Sequence, residues 1–352
     1  MSLPVIIVCL ICWAFCICFD GNKQSRKIHT LSIATIITIG IILVIIASLR
    51  SCKMADYMHY HNMFYFNGDL NSTRIESGFI FLLNICKKLI SSDFIYFLSI
   101  VATISIFSKI IAICKITNLW WGSMAIFISS RFILLDMIQI RAAIAAGFFL
   151  ISMYYAIQRN LKWFIIFTIL AITFHWTAII TVAFWFVDNK RLNKPFYLLL
   201  IPFSYIFAII GISITHWFGF IPIEAIQNLY LGYSKSITYG STKNFNLFDI
   251  LYLGRSFVCI FLLIFCNVIQ QRNRYFILFI KIYTIAICSY CLLWSLPVAA
   301  YRISEFLLIS EIIAIPSFIT LFHKSPFVGK IIVFIISGCY LYSNIVLTKL
   351  LI

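Results

Sequence analysis

The sequence predicts an all-α polytopic integral membrane protein. It has about ten transmembrane helices, a re-entrant or short-helix hairpin near 163–187 and an outer half-helix near 76–92. Three observations carry that reading. Hydrophobic residues make up 63% and charged residues only 11% of the chain, against about 25% charged in soluble domains. Apolar runs near the roughly 20 residues needed to cross a hydrocarbon core recur from end to end. The connections between many of these runs are short and basic. The 352 residues hold the spans and leave no room for a sizeable soluble domain. Without repeats, low-complexity tracts or a linker, residues 1–352 read as a single transmembrane domain with outer loops at about 50–93 and 219–248.

The spans fall at about 3–19, 30–49, 94–116, 119–137, 141–158, 195–218, 249–270, 275–298, 301–322 and 327–349. Met1 to Phe19 starts too uncharged for a standard cleaved signal peptide and reads as the first span. Its CLICWAFCIC stretch has CxxC spacing, but small apolar residues around a helix explain it more simply than a zinc or redox site. The basic connections GNKQSRKIH, QRNLK, DNKRLNK, QQRNR and HKSPFVGK read as cytoplasmic by the positive-inside rule, with a sixth turn flanked by Lys109 and Lys115. The formal net charge of +16 is then a feature of membrane orientation, and no nucleic-acid partner is expected. The loops 50–93 and 219–248 and the turns at 136–141 and 299–302 face outward, as do both termini.

Two segments depart from simple spans. Residues 163–187 form a 25-residue apolar run centred on His175. One span there would invert every later loop, and two spans need about 40 residues. A hairpin of short helices keeps the basic loops on one side and puts His175 at its turn, which must then line a wet cavity. The second segment, ESGFIFLLNICKKLI, is too short to cross and reads as an outer half-helix.

Ionised groups at bilayer depth cost at least about 2.5 kcal/mol each on insertion scales, so their positions point to function. Arg141 sits in MIQIRAAIAAGFF, His175 in AITFHWTAII, and Arg302 with Glu305 in AAYRISEFLL. In the outward-facing topology these converge with Asp56, Tyr57, Glu76, Arg131 and Arg255. Each one alone could be an interfacial anchor or a satisfied ion pair. AAIAAG after Arg141 is a small-residue face suited to close helix packing. Arg302 and Glu305, three apart, can touch on one helix face. Arginine forks match phosphate oxygens, so several on one side favour a phosphate or diphosphate at the membrane surface. His59 and His61 lack a clear third ligand, so no metal is expected. Walker, GxSxG and HExxH motifs are absent.

Four local patterns resemble the EpsG/Wzy-type family of bacterial polysaccharide polymerases. ADYMHYHNMF with Asp56 and Tyr57, followed by RIESGFIFLLNIC with Glu76 and Gly78, looks like the family's first outer loop. IQIRAAIAAGFFL resembles its Arg-then-small-residue helix, LAITFHWTAII its Phe-His segment, and YRISEFLL its late Tyr-Arg helix. The resemblance spans roughly residues 50 to 310 and lies in the order and spacing of the motifs. Ala142 stands where a polar residue such as Gln often follows the Arg, and Trp176 where a smaller residue is common.

The resemblance implies a glycosyltransferase-type polymerase in the bacterial inner membrane, with its active site facing the periplasm. The substrate would be an undecaprenyl-diphosphate-linked oligosaccharide repeat unit. The growing glycan would pass from its lipid diphosphate to the non-reducing sugar of a new unit, for O-antigen, capsule or exopolysaccharide. No nucleotide, cofactor or metal is needed, with arginines in the role of the cation. Arg141 and Arg302, with Arg131 and Arg255 behind them, would hold the diphosphate. His175 would be the base, with Asp56, Glu76 and Glu305 as alternatives, and Tyr57 and Tyr301 would bind glycan. Membrane lipids and a chain-length regulator protein are the further partners. The competing readings are a lipid-linked oligosaccharide flippase or transporter, an O-antigen ligase and a membrane O-acyltransferase.

Overall fold

Backbone polar groups cannot stay unpaired in lipid, so helices account for most of the described residues. The computed structural model describes residues 2–21, 26–66, 76–90, 92–212 and 245–347, and among them there is no strand. Most of the predicted outer loop 219–248 lies outside the described residues. Six described segments are long and apolar enough to cross a membrane: Ser2–Phe19, Thr30–Ser48, Phe94–Ile116, Ile140–Ile157, Pro297–Leu321 and Pro326–Val346. Shorter apolar helices take up the other predicted runs, among them Lys194–Ile209, Ile250–Ile264 and Phe276–Leu292. The fold is the expected all-α membrane fold.

The chain divides into two compact units, Met1–Val187 with Ile315–Ile352, and Asp188–Ala314. The first begins with α1 (Ser2–Phe19), α2 (Arg26–Ser48), α3 (Tyr57–Phe66) and α4 (Ser77–Ile85). It continues with α5 (Phe94–Ile116), α6 (Trp120–Ile126), α7 (Ile140–Ile157) and α8 (Leu161–Phe174). Its centre is the pair α5 and α7. Helices in lipid associate through close packing and not through a hydrophobic gradient, which favours small residues at the seam. Here a methyl at Gly147 would collide with Ser108, so the AAIAAG face does what its composition suggested.

The predicted span 119–137 is α6 continued by a ten-residue π-helix, Phe127–Asp136. Lys109, expected to mark a cytoplasmic turn, is instead fully buried within α5. Its Nζ stands 2.8 Å from Asp136 Oδ1 and 2.6 Å from Ser105 Oγ. The positive-inside rule counts basic residues at helix ends. This one is kept inside by a carboxylate 27 residues further along.

Residues 161–185 form the hairpin. α8 has 14 residues, about 21 Å at 1.5 Å per residue, too short to cross. It stops at His175, which is extended (φ −157, ψ 119), and a 3-10 helix Trp176–Trp185 leads back. The Phe164 and Trp185 rings meet at 5.0 Å, and Arg159 Nη1 donates to the Trp185 carbonyl at 2.8 Å. The entry and exit therefore lie at one end and His175 at the other. Asn160 caps the start of α8 through the Trp163 amide.

The second unit is built around α11 (Phe276–Leu292), against which α9 (Lys194–Ile209), α10 (Ile250–Ile264) and α12 (Pro297–Leu307) pack. Asp249 caps α10 through the amides of Leu251 and Tyr252. The basic connection DNKRLNK is tied down by Lys281, which donates to the carbonyls of Asp188 and Arg191 at 2.6 Å each.

Candidate functional site

Among the described residues, ionisable residues singled out in the sequence form a cluster in each unit. Glu76 is the centre of the first. It occupies the N-cap of α4 (φ −69, ψ 138), but its side chain makes no capping bond. The carboxylate reaches elsewhere. Oε2 accepts from Arg141 Nη1 at 2.6 Å. Oε1 stands 3.2 Å from His175 Nδ1 and accepts from the Trp176 amide at 3.4 Å. Gly78 makes this approach possible: a methyl there would stand 2.8 Å from the backbone oxygen of Thr173, at the tip of the hairpin.

Burial pushes the Glu76 carboxyl up, but its bond with His175 and the charge of Arg141 outweigh burial and hold it below its ordinary value. Ionised, it can only accept, so Nδ1 of His175 donates to it. Nε2 stands 2.9 Å from Thr177 Oγ1, and in the tautomer with its proton on Nδ1 it is the acceptor. The Arg141 side chain is 23% exposed and that of His175 16%, against 6% for Glu76. The acid is thus the buried anchor, while the arginine fork and the imidazole are open to a ligand. Arg141 also lies over the rings of Tyr60 (5.9 Å) and Phe79 (6.0 Å).

In the second unit Arg255 on α10 stands between two carboxylates. Its Nη1 is 3.2 Å from Glu305 Oε1 and its Nε 3.0 Å from Glu311 Oε1. Tyr252 donates to Glu305 at 2.8 Å and sits 2.7 Å from Ser304 Oγ. The Tyr252 and Tyr290 rings stack at 3.5 Å, with Tyr301 at 5.4 Å from Tyr290. One arginine facing two acids is already neutralised, which leaves little positive charge for a phosphate.

Of the residues singled out in the sequence, Glu76, Arg141 and His175 come together, as do Arg255 and Glu305. Arg302 is exposed on the same helix as Glu305. Tyr301 is 36% exposed. Arg131 is fully buried in the π-helix. Asp56 is exposed, with φ 64, and Tyr57 packs edge-on against Phe94 at 5.4 Å. Glu311, Tyr60, Thr177 and Arg50 were not singled out. Glu311, in LISEIIAI, is an acid inside an apolar run and carried the same signal as Glu305. Among the described residues no three His, Cys, Asp or Glu side chains gather as a metal site.

A family model described as the EpsG family matches residues 33–350, nearly the whole chain. The chain belongs to the EpsG family. No curated protein and no solved structure matches it. EpsG membership makes it a polysaccharide polymerase in the general sense, a glycosyltransferase-like enzyme, and its apolar helices make it a multi-pass membrane protein. The motifs quoted for the resemblance include the segments that supply Glu76, Arg141 and His175, so the first cluster is the leading candidate site of this EpsG chain.

Proposed function

We propose that this EpsG-family polymerase extends glycan from undecaprenyl-diphosphate-linked repeat units at the periplasmic face of the bacterial inner membrane. The observation that carries the proposal is the single carboxylate of Glu76 bonded to both Arg141 and His175. The two bonds hold a guanidinium and an imidazole side by side on one carboxylate.

The hydroxyl of the non-reducing sugar on a new unit attacks the anomeric carbon of the growing glycan. The new C–O bond forms as the bond to the lipid diphosphate breaks. Negative charge grows on the leaving diphosphate, and a preorganised guanidinium in a water-poor site stabilises it. That role falls to Arg141, which has donors left after its bond to Glu76. The hydroxyl proton passes to Nε2 of His175, and Glu76 stabilises the imidazolium. Arg302 and Arg131 are the further diphosphate candidates, while Arg255 is balanced by two acids. Tyr57 and Tyr301 would stack on sugar, Asp56 and Glu305 remain alternative bases, and the chain-length regulator remains a proposed partner.

Thr177 on Nε2 of His175, with Glu76 on Nδ1, favours one second reading, an acyl transfer through the threonine hydroxyl. The test is the surface-glycan length ladder in a deletion strain complemented with wild type, Arg141→Ala and His175→Ala. Collapse to a single repeat unit in both variants, at matched protein levels, supports polymerisation. Complete loss of surface glycan supports a flippase or ligase, and an unchanged ladder supports acyl transfer.

A further inference from the structure

Arg50 lies two residues beyond the end of α2 and is only 7% exposed. Its Nη1 donates to the carbonyl of Met137 at 2.7 Å, with the Asp136 carbonyl at 3.5 Å. Nε and Nη2 are buried and have no hydrogen-bond partner among the described residues. These two nitrogens share one edge of the guanidinium, the edge whose parallel N–H bonds match two oxygens of a phosphate or carboxylate. Buried donors without partners are rare in native structures and call for an explanation such as a ligand or water.

No described carboxylate fills that edge. Glu76 is taken by Arg141, His175 and the Trp176 amide. Asp136 gives Oδ1 to Lys109 and Ser105, and its Oδ2 has no partner and makes no bond to Arg50. The two arginines are close in the fold. Arg50 is tied to Met137 in the turn that leads into α7, and Arg141 opens that helix. Tyr60 lies within electrostatic range of both, and its ring is 5.9 Å from Arg141. Asp56 and Asp136 lie within the same electrostatic range, so what marks Arg50 is its unfilled edge and not an excess of charge.

We propose that Arg50 is a second anion-binding guanidinium of the Glu76–Arg141–His175 site, its Nε–Nη2 edge taking two oxygens of a diphosphate. The inference rests on the polymerase reading of that site and adds to it a residue that the sequence motifs passed over. Arg141 then meets the ligand from the exposed side, and Arg50 from the buried side.

The test uses the full-length protein in detergent with inorganic pyrophosphate as the probe, and reads affinity by calorimetry and the thermal midpoint without ligand. Arg50→Lys keeps the charge and a donor for Met137 but loses the fork. Arg50→Gln keeps only a neutral donor and serves as the second variant. Both should bind pyrophosphate roughly tenfold or more weakly, as expected for losing a charge-assisted bond pair, with midpoints close to wild type. Wild-type affinity in both variants, alongside weakened binding in Arg141→Ala, overturns the role of Arg50 and leaves the polymerase reading standing. No pyrophosphate binding by the wild type, together with a normal glycan ladder in Arg141→Ala, overturns both.

Discussion

Oε2 of Glu76 stands 2.6 Å from Nη1 of Arg141, across 65 residues of sequence. The same carboxylate turns its other oxygen to His175, 99 residues away. The pairing fixes the arginine fork and the imidazole tautomer with one buried group, and the first test removes that group's charge alone.

Glu76→Gln keeps the shape and loses the charge, so His175 is no longer oriented by an anion and its imidazolium is no longer stabilised. Polymerisation should fall by about 10²-fold or more, as for other loss of general-base function. Stability carries a sign as well. The folded carboxyl lies below its ordinary 4.5, so its contribution is present above that value and is lost as pH falls through the lower folded value. Thermal midpoints measured from neutral to acid pH should fall less steeply for Glu76→Gln than for wild type.

Gly78→Ala tests how Glu76 is delivered. The added methyl meets the Thr173 backbone oxygen at 2.8 Å, and that oxygen cannot retreat without moving the hairpin tip. Overpacking of this kind costs about 1–3 kcal/mol. Polymer yield should drop with the thermal midpoint, and Gly78→Ala/Thr173→Ala should restore neither fully.

Lys109→Met leaves Asp136 buried without its cation, a change that typically costs about 3–5 kcal/mol. The double variant Lys109→Met/Asp136→Leu removes both charges and should recover much of the loss. A double-mutant cycle on thermal or denaturant unfolding reads the coupling directly.

Much of this site was legible because a charged residue in an apolar run is conspicuous. Arg141, His175 and Glu305 were visible for that reason, and the length of 163–187 together with the orientation of the basic loops implied a hairpin. Pairing was not legible, since nothing local in ESGF tells Glu76 to face His175. The break at His175 has no proline or glycine to mark it. Lys109 was misread because its partner Asp136 lies on another helix, and Arg50 was passed over because it ends an apolar run as an interfacial anchor would.

Asp20 offers a pH test away from the site. Burial pushes its carboxyl up to about 7, against the pull of the Gly122 and Trp121 amides, Cys16 and Lys330. An acid raised in this way binds its proton more tightly when folded. Its stabilising contribution is complete below the unfolded value of 3.8 and is lost as pH rises through about 7. Asp20→Asn keeps an acceptor for the Gly122 amide, 2.7 Å away. Its midpoint relative to wild type should therefore rise across that window and then level off.

The most direct measurement of the central claim is transfer by the purified protein in liposomes, supplied only with a polyprenyl-diphosphate-linked repeat unit. Polymer and released lipid diphosphate are counted for wild type and Arg141→Ala. The expected result is one lipid diphosphate per new linkage without added nucleotide, and a rate about 10²–10³-fold lower in the variant, as for loss of a transition-state donor. Equal rates in the two proteins, or polymer that forms only with a nucleotide sugar, would contradict it.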